Sequence, residues 1–186
     1  MLPVLLCARL KSAPGLAEVA FVTFRFRRQP RGFSLIELLI VIGIILTISA
    51  IAIPRLLRSR MAANESSAVA SLRTLCTVQV SYESTYGAGY SPSLAALAPP
   101  APGVAPSATN AGLIDIVLAG GVKSGYVFTY TPVDLNGDGK MDVFTITAAP
   151  FVPGQTGDNY YFVDQSNVIR YNAGAPANAA SNPIPR

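Results

Sequence analysis

The hydrophobic pattern is dominated by one unbroken apolar stretch, Phe33 to Ile53, which contains a single charged residue, Glu37. A helix of that length is about 32 Å long, enough to cross the hydrocarbon core of a bilayer. The stretch is longer than the apolar core of a secretory signal peptide and ends in Ile53-Pro54-Arg55 rather than at a small-residue cleavage site. The pattern therefore predicts a retained transmembrane helix over 33–54.

A second helical pattern follows this stretch. Between 55 and 90, apolar residues recur every three or four positions with charged residues between them, which is typical of an amphipathic helix lying on a core. The helix is expected to run to about Tyr86, and its apolar stripe comprises Met61, Ala68, Val69, Leu72, Leu75, Cys76 and Val80.

After the helix, the apolar residues no longer recur every three or four positions. Residues 91–124 are rich in Pro and Ala and predict an irregular connection, with short turns or helices at 94–97 and 113–118. Alternating aromatic and small residues then predict strands at 125–131, 142–147, 159–164 and 168–171. These form a meander of three or four antiparallel strands within 125–171, followed by a flexible tail, 172–186. The predicted fold class is α+β, a long N-terminal helix packed on a small antiparallel sheet.

The positive net charge of the chain comes from its first 32 residues. The chain carries 14 basic and 10 acidic residues, no His and two Cys. Six basic residues and one acid lie in 1–32, so 33–186 holds eight basic and nine acidic residues, a net charge of −1. Residues 61–186 hold five basic and eight acidic residues without a basic cluster, so no nucleic-acid partner is expected. No acid pair or nucleophile–base set indicates an enzyme.

The residues around the start of the apolar stretch resemble a known family. Arg31-Gly-Phe-Ser-Leu-Ile-Glu-Leu-Leu-Ile-Val-Ile42, with Ala50-Ile-Ala-Ile-Pro54, is similar to the N-terminus of type IV pilins and type II secretion pseudopilins. The resemblance covers about 30 residues. It implies the pilin fold, a long helix on a small sheet, which agrees with the periodicity.

The resemblance also implies specific processing. A prepilin peptidase would cut between Gly32 and Phe33, removing 1–32 as a leader, and N-methylate Phe33. A leader of 32 residues is long for the family, and its basic segment from Thr23 would suffice; translation starting at Val19 or Val22 is a hypothesis. Removal of the leader takes Cys7 with it and leaves Cys76 without an intrachain partner, so the disulfide common in pilins is not expected here.

Glu37 is a candidate functional residue for two reasons: it is a charge in an apolar helix, and the family resemblance implies a role for it. A lone carboxylate near the end of a membrane helix costs roughly 2–3 kcal/mol on insertion scales, less at the edge. One interpretation is an edge acid that snorkels to the interface without a role. The resemblance implies instead that Glu37 pairs with the amine of Phe33 in a neighbouring subunit during assembly. Each buried charge would then compensate the other.

A polar loop between the first two predicted strands is a candidate metal site. Oxygen ligands at Asp134, Asn136, Asp138 and Asp142, with the backbone carbonyl of Lys140, match the first nine positions of an EF-hand-type calcium loop. The twelfth position is Thr145 rather than Glu, so weaker Ca²⁺ binding is expected. The alternative is a plain hairpin turn whose Asn-Gly and Asp-Gly steps permit positive φ.

These features predict a structural subunit, a major or minor pilin of a type IV pilus-like filament. Its expected partners are further copies of itself or other pilins, a prepilin peptidase and an inner-membrane assembly platform. The precursor is expected in the bacterial inner membrane and the product in a cell-surface or periplasmic filament. Two alternatives stay open: a type II secretion pseudopilin, and a membrane-anchored calcium-binding module that never polymerises.

Overall fold

The structure, a computed structural model, describes residues 32–185. All of the predicted leader except Gly32 lies outside the described residues. The described chain divides into two units, 32–42 and 43–185. A single helix, α1 (Leu35–Tyr86), supplies residues to both units, and Pro54 lies inside it.

The N-terminal part of α1 is apolar and uncovered. The helix is long and apolar enough to cross a membrane, by length and composition, and none of its most apolar 18-residue window is buried. Helix α1 begins directly after Gly32-Phe33-Ser34, and the Ser34 carbonyl accepts a hydrogen bond from the Leu38 N–H. Glu37 lies in its first turn.

The C-terminal half of α1 buries one face against a sheet. The buried helix residues are Ala68, Ser71, Leu72, Leu75, Cys76, Val78, Gln79 and Tyr82. The helix and its apolar stripe are as predicted through Cys76, but Val80 is 51% exposed. Because the helix advances about 100° per residue, Gln79 rather than Val80 continues the buried face. The apolar pattern predicts Val80 on the buried face because Gln79 is polar, yet Gln79 is completely buried.

A polar contact explains the buried glutamine. Gln79 Nε2 donates to Ser91 Oγ and Gln79 Oε1 accepts from the Ser91 N–H, both at 2.9 Å. The Tyr130 hydroxyl donates to the Ser91 carbonyl at 2.7 Å. Burial raises the pKa of Tyr130 to about 12, so its phenol stays protonated and able to donate. The three residues join the helix, the start of the connection and the sheet.

The connection between helix and sheet is irregular, as predicted, with two short helical turns. These are a 3₁₀ turn, Ala95–Leu97, and a four-residue helix α2, Ile116–Ala119. The Tyr82 hydroxyl donates to the Ala108 carbonyl at 2.8 Å and fixes the middle of the connection to α1. At its end, Asp115 caps α2 by accepting from the Leu118 N–H and forms an ion pair with Lys123.

The sheet has six antiparallel strands in chain order, two more than the largest number predicted. They are β1 (Val122–Lys123), β2 (Tyr126–Val133), β3 (Val143–Pro150), β4 (Asn159–Asp164), β5 (Arg170–Ala173) and β6 (Asn182–Pro183). Buried and half-buried residues alternate along β3, as expected for a sheet with one face on a core. The fold is therefore α+β, with a long helix on an antiparallel sheet, as predicted.

The C-terminal segment corrects one prediction. Residues 172–186 were expected to form a flexible tail, yet Tyr171 pairs with Asn182 in β5 and β6, and Ala177 is buried. The Ile184 N–H donates to the Ile169 carbonyl at 3.0 Å. Backbone pairing and burial of Ala177 hold this segment in place, and the Ala/Asn/Pro composition did not reveal either contact.

The two ends of the sheet contact different parts of α1. At one end, Asn64 and Glu65 bond to residues just before β4 and at its start. At the other, Gly89 and Tyr90, just after the helix, bridge to Met141 before β3. The sheet therefore follows the helix from about residue 64 to its C-terminal end.

We predict that Gln79→Ala lowers the free energy of unfolding by about 1–3 kcal/mol, because the buried Ser91 N–H loses its acceptor. The measurement is urea unfolding of the detergent-solubilised full chain, followed by circular dichroism. Thr74→Ala is the matched control, since Thr74 is an exposed position of the same helix. Equal stability of the two variants would contradict the structural role of Gln79.

Candidate functional site

The N-terminal processing and assembly residues lie in the first unit. Gly32 and Phe33 precede α1 outside regular structure, both are exposed, and a Cβ at Gly32 would meet no atom within 4 Å. An enzyme could therefore approach the peptide bond between Gly32 and Phe33 without unwinding helix.

Glu37 follows one turn later. Its position in the first turn of α1 is favourable for an acid, because the N-terminal end of a helix carries partial positive charge. Within the described residues, the Glu37 carboxylate has no ion pair and no hydrogen bond. The predicted processing residues Gly32 and Phe33 belong to the same unit as Glu37, and the predicted calcium-loop residues belong to the second unit.

The predicted calcium loop, residues 134–142, joins β2 to β3 and is held by its own side chains. Asp134 Oδ1 accepts from the Gly137 N–H at 2.7 Å, and Asp134 Oδ2 accepts from the Gly139 N–H at 2.9 Å. Both glycines have positive φ, 77° and 82°. The loop thus curls around the Asp134 carboxylate, with Gly139 at the position where an EF-hand loop requires its sharp turn.

The other predicted ligands repeat this arrangement. Asn136 Oδ1 accepts from the Asp138 N–H, and Asp138 Oδ1 accepts from the Lys140 N–H. Asp142 Oδ2 accepts from the Leu135 N–H at 2.8 Å and closes the loop. All five positions are brought into one loop, but no group of three acidic, His or Cys side chains in the described part of the chain converges in a metal-binding arrangement.

The backbone N–H groups have an electrostatic effect on Asp134. Hydrogen bonds from Gly139 and Gly137 lower the pKa of the Asp134 carboxyl below its ordinary 3.8. Amide donors stabilise the ionised form in the same way that a bound cation would. In this geometry the side-chain oxygens of the loop accept backbone N–H groups, as in a hairpin turn.

A contact that the sequence did not reveal lies at the other end of the sheet. The Glu65 carboxylate accepts from the Asp158 N–H, the Asn159 N–H and Asn159 Nδ2, at 2.9–3.2 Å. Next to it, Asn64 Nδ2 donates to the Thr156 carbonyl. Glu65 is one of the charged residues between the apolar positions of the amphipathic helix, so the sequence pattern predicts it on the polar side. Its spacing of three residues from Ala68, on the buried face, is the signal that could have placed it against the sheet.

Comparison with known proteins supports the resemblance of this chain to type IV pilins. The family model "Prokaryotic N-terminal methylation motif" matches residues 27–53. The type IV major pilin protein PilA of Myxococcus xanthus is 43% identical over 58 residues, which are 31% of this chain and 26% of that protein. The matched part of the chain therefore covers about a quarter of the length of this relative. No solved structure matches the chain significantly.

The matches link part of the chain to type IV pilins. The chain carries a prepilin-type N-terminal methylation motif, it is similar over 58 residues to a type IV major pilin, and its fold is α+β, which is consistent with a pilin fold.

We predict that the loop loosens at low pH. The folded-state pKa of Asp134 is lowered, so its contribution is complete above about pH 3.8 and is lost as the pH falls through the lower, folded-state value. Hydrogen exchange of the Gly137 and Gly139 amides should therefore accelerate, relative to the intrinsic rate, below pH 3.8. Asp134→Asn should show fast exchange at all pH values, whereas exchange in Asp158→Asn should match wild type.

Proposed function

We propose that this chain is a structural subunit, a major or minor pilin, of a type IV pilus-like filament. The observation that carries the proposal is the exposed apolar half of α1, which starts directly after the processing motif and carries one acid in its first turn. A bilayer covers such a surface before assembly, and neighbouring copies of the same helix cover it afterwards.

Processing converts the precursor to this form. A prepilin peptidase cuts between Gly32 and Phe33 and N-methylates Phe33, as the matched motif suggests. The product begins with a cationic amine at Phe33, four residues before Glu37. Removal of the leader also takes away six basic residues and leaves a net charge of −1.

Glu37 then selects the register between subunits. In an apolar filament core, an ammonium and a carboxylate are each costly alone, and a contact that pairs them removes much of that cost. The amine of Phe33 in an incoming subunit meets Glu37 of its neighbour at one axial offset. Other offsets leave both charges unpaired.

The proposed partners are further pilin subunits, the prepilin peptidase and an inner-membrane assembly platform. The precursor resides in the inner membrane and the assembled product at the cell surface. The nearest alternative is a type II secretion pseudopilin, whose filament stays in the periplasm. Electron microscopy of sheared surface fractions distinguishes them, because a pseudopilin yields no long surface filaments at native expression.

We predict that Glu37→Gln abolishes filaments or lowers their yield at least about tenfold, since each buried amine then lacks a partner worth several kcal/mol. Glu83→Gln is the matched control, because Glu83 is an exposed acid on the same helix, far from the apolar half. Immunoblots of sheared filaments and of membranes measure assembly and subunit level separately. Normal filaments in Glu37→Gln would contradict the pairing role of Glu37, whereas a wild-type chain found only in membranes would favour the non-polymerising anchor.

We further propose that the loop at 134–142 binds Ca²⁺ weakly, through side-chain oxygens of Asp134, Asn136, Asp138 and Asp142 and the carbonyl of Lys140. What supports this is the conjunction of ligand spacing with the turn at Gly139. The Asp134 oxygens also accept amide hydrogen bonds, so a cation would share them with the backbone.

At millimolar Ca²⁺ and a dissociation constant of about 10⁻⁴ M, typical of weak extracellular sites, we predict a gain of about 1.4 kcal/mol. For a chain of this size, that raises the melting temperature by roughly 3–5 °C. Differential scanning calorimetry of the solubilised chain with Ca²⁺ and with EDTA measures the shift. The shift should vanish in Asp138→Asn combined with Asp142→Asn, and an equal midpoint in wild type would assign the loop to a metal-free hairpin.

A further inference from the structure

The loop at 134–142 contains two steps at which the backbone can attack a side chain of the same chain. Asn136-Gly137 and Asp138-Gly139 are the only Asn–Gly and Asp–Gly steps in the sequence. Glycine nitrogen is the least hindered nucleophile of this kind, because glycine has no Cβ. All four residues are exposed, and a Cβ at either glycine would meet no atom within 4 Å. Solvent therefore reaches both steps.

The reaction at Asn136 would be a deamidation. The Gly137 nitrogen attacks the carbon of the side-chain amide and closes a succinimide ring; the Gly137 N–H proton passes to a solvent base. The side-chain nitrogen takes up a proton from solvent and leaves as ammonia. Water then opens the ring to aspartate or to isoaspartate, in which the main chain is longer by one CH₂ group. At Asp138 the same ring forms with water as the leaving group.

The carboxylate of Asp134 holds the attacking nitrogen of each step. Its Oδ1 atom accepts the Gly137 N–H at 2.7 Å, and its Oδ2 atom accepts the Gly139 N–H at 2.9 Å. The Asn136 N–H also donates to Oδ1, at 3.2 Å. One side chain therefore engages both nucleophiles at once, with one oxygen for each.

These hydrogen bonds oppose ring closure for two physical reasons. Attack requires the peptide plane of the nitrogen to turn toward the side-chain carbon, and a charge-assisted hydrogen bond to Asp134 holds that plane in another orientation. Attack also requires loss of the N–H proton, which would leave a negative nitrogen beside a negative carboxylate. Both effects raise the barrier at Gly137 and at Gly139.

The other half of each reacting pair is not restrained in this way. Asn136 Oδ1 accepts the Asp138 N–H at 3.0 Å, and Asp138 Oδ1 accepts the Lys140 N–H at 2.8 Å. A donor on a carbonyl oxygen stabilises the negative charge that develops there during attack, so these two bonds favour the reaction. The restraint in this loop therefore lies on the nitrogen atoms, at Asp134.

We propose that Asn136 is a site of spontaneous deamidation, that Asp138 is a matching site of isomerisation, and that Asp134 keeps both reactions slow. Deamidation adds one negative charge to the net −1 of residues 33–186. Isoaspartate at position 136 lengthens the backbone inside a loop whose hydrogen bonds depend on its present spacing. The inference depends neither on filament assembly nor on Ca²⁺.

The test follows the reaction in the detergent-solubilised full chain, incubated at neutral pH with EDTA so that no bound cation contributes. Mass spectrometry of digests measures conversion of amide to acid at Asn136, and an enzyme that methylates isoaspartate measures that product. Asp134→Ala removes the restraint. Asp142→Ala is the matched control, because Asp142 closes the same loop through the Leu135 N–H, at 2.8 Å, rather than through a glycine nitrogen. A capped peptide of residues 135–140, which lacks Asp134, is the unrestrained reference.

We expect Asn136 in the wild-type chain to deamidate at least about tenfold more slowly than in the peptide, as the loss of a hydrogen bond to a charged group implies. Asp134→Ala should remove most of this difference, whereas Asp142→Ala should stay close to wild type. Asp134→Asn keeps the size of the side chain and should also react faster than wild type, which guards against a folding defect of Asp134→Ala. Isoaspartate formation at Asp138 should follow the same order.

Three results would overturn the inference. The first is an equal rate at Asn136 in wild type and in both Asp134 variants. The second is an acceleration in Asp142→Ala as large as that in Asp134→Ala, which would assign the restraint to closure of the loop as a whole. The third is a wild-type rate equal to or above that of the peptide, which would show that the folded loop does not slow the reaction.

Discussion

The burial of one face of α1 by the sheet is the contact on which the rest of the second unit depends. A two-stranded hairpin is marginal alone, and strands as short as β1 and β6 gain stability only by lying beside longer neighbours on a common core. Helix residues such as Leu72 and Leu75 supply the centre of that core. The connection and the C-terminal segment then attach through hydrogen bonds that require the helix and sheet to be in place.

The same helix serves two environments, and its residue types change accordingly. Up to Ile53 nearly every position is apolar, so any side of the helix can face lipid or another helix. Beyond Pro54 only one side stays apolar, because the other faces water. The change occurs at Pro54, and Arg55 and Arg58 are the first charged residues after it.

Much of this architecture could be predicted from periodicity alone. The end of α1 at Tyr86, the four longer strands and the α+β class follow from patterns that the buried face imposes on sequence. The motif at Gly32, Phe33 and Glu37 was recognised by resemblance, and the matched methylation model supports that recognition. The roles of these three residues stay predictions, as does calcium at the 134–142 loop.

The errors share a physical cause. Gln79, Glu65 and the strand at Asn182–Pro183 are held by hydrogen bonds to residues distant in sequence, and a local pattern cannot contain that information. A buried glutamine resembles a surface residue until Ser91 is known to meet it. Likewise, Asn182 resembles a disordered tail until Tyr171 is known to pair with it. Long-range polar partners therefore limited the prediction more than the hydrophobic pattern did.

The strand order, which equals the chain order, has a consequence for biogenesis. Each strand after β1 pairs with the strand that immediately precedes it in the chain, so its partner is already synthesised when it appears. Such nearest-neighbour pairing lowers the entropy of loop closure and favours rapid folding. Helix α1 also precedes every strand in the chain, so its apolar face is synthesised before the sheet that covers it.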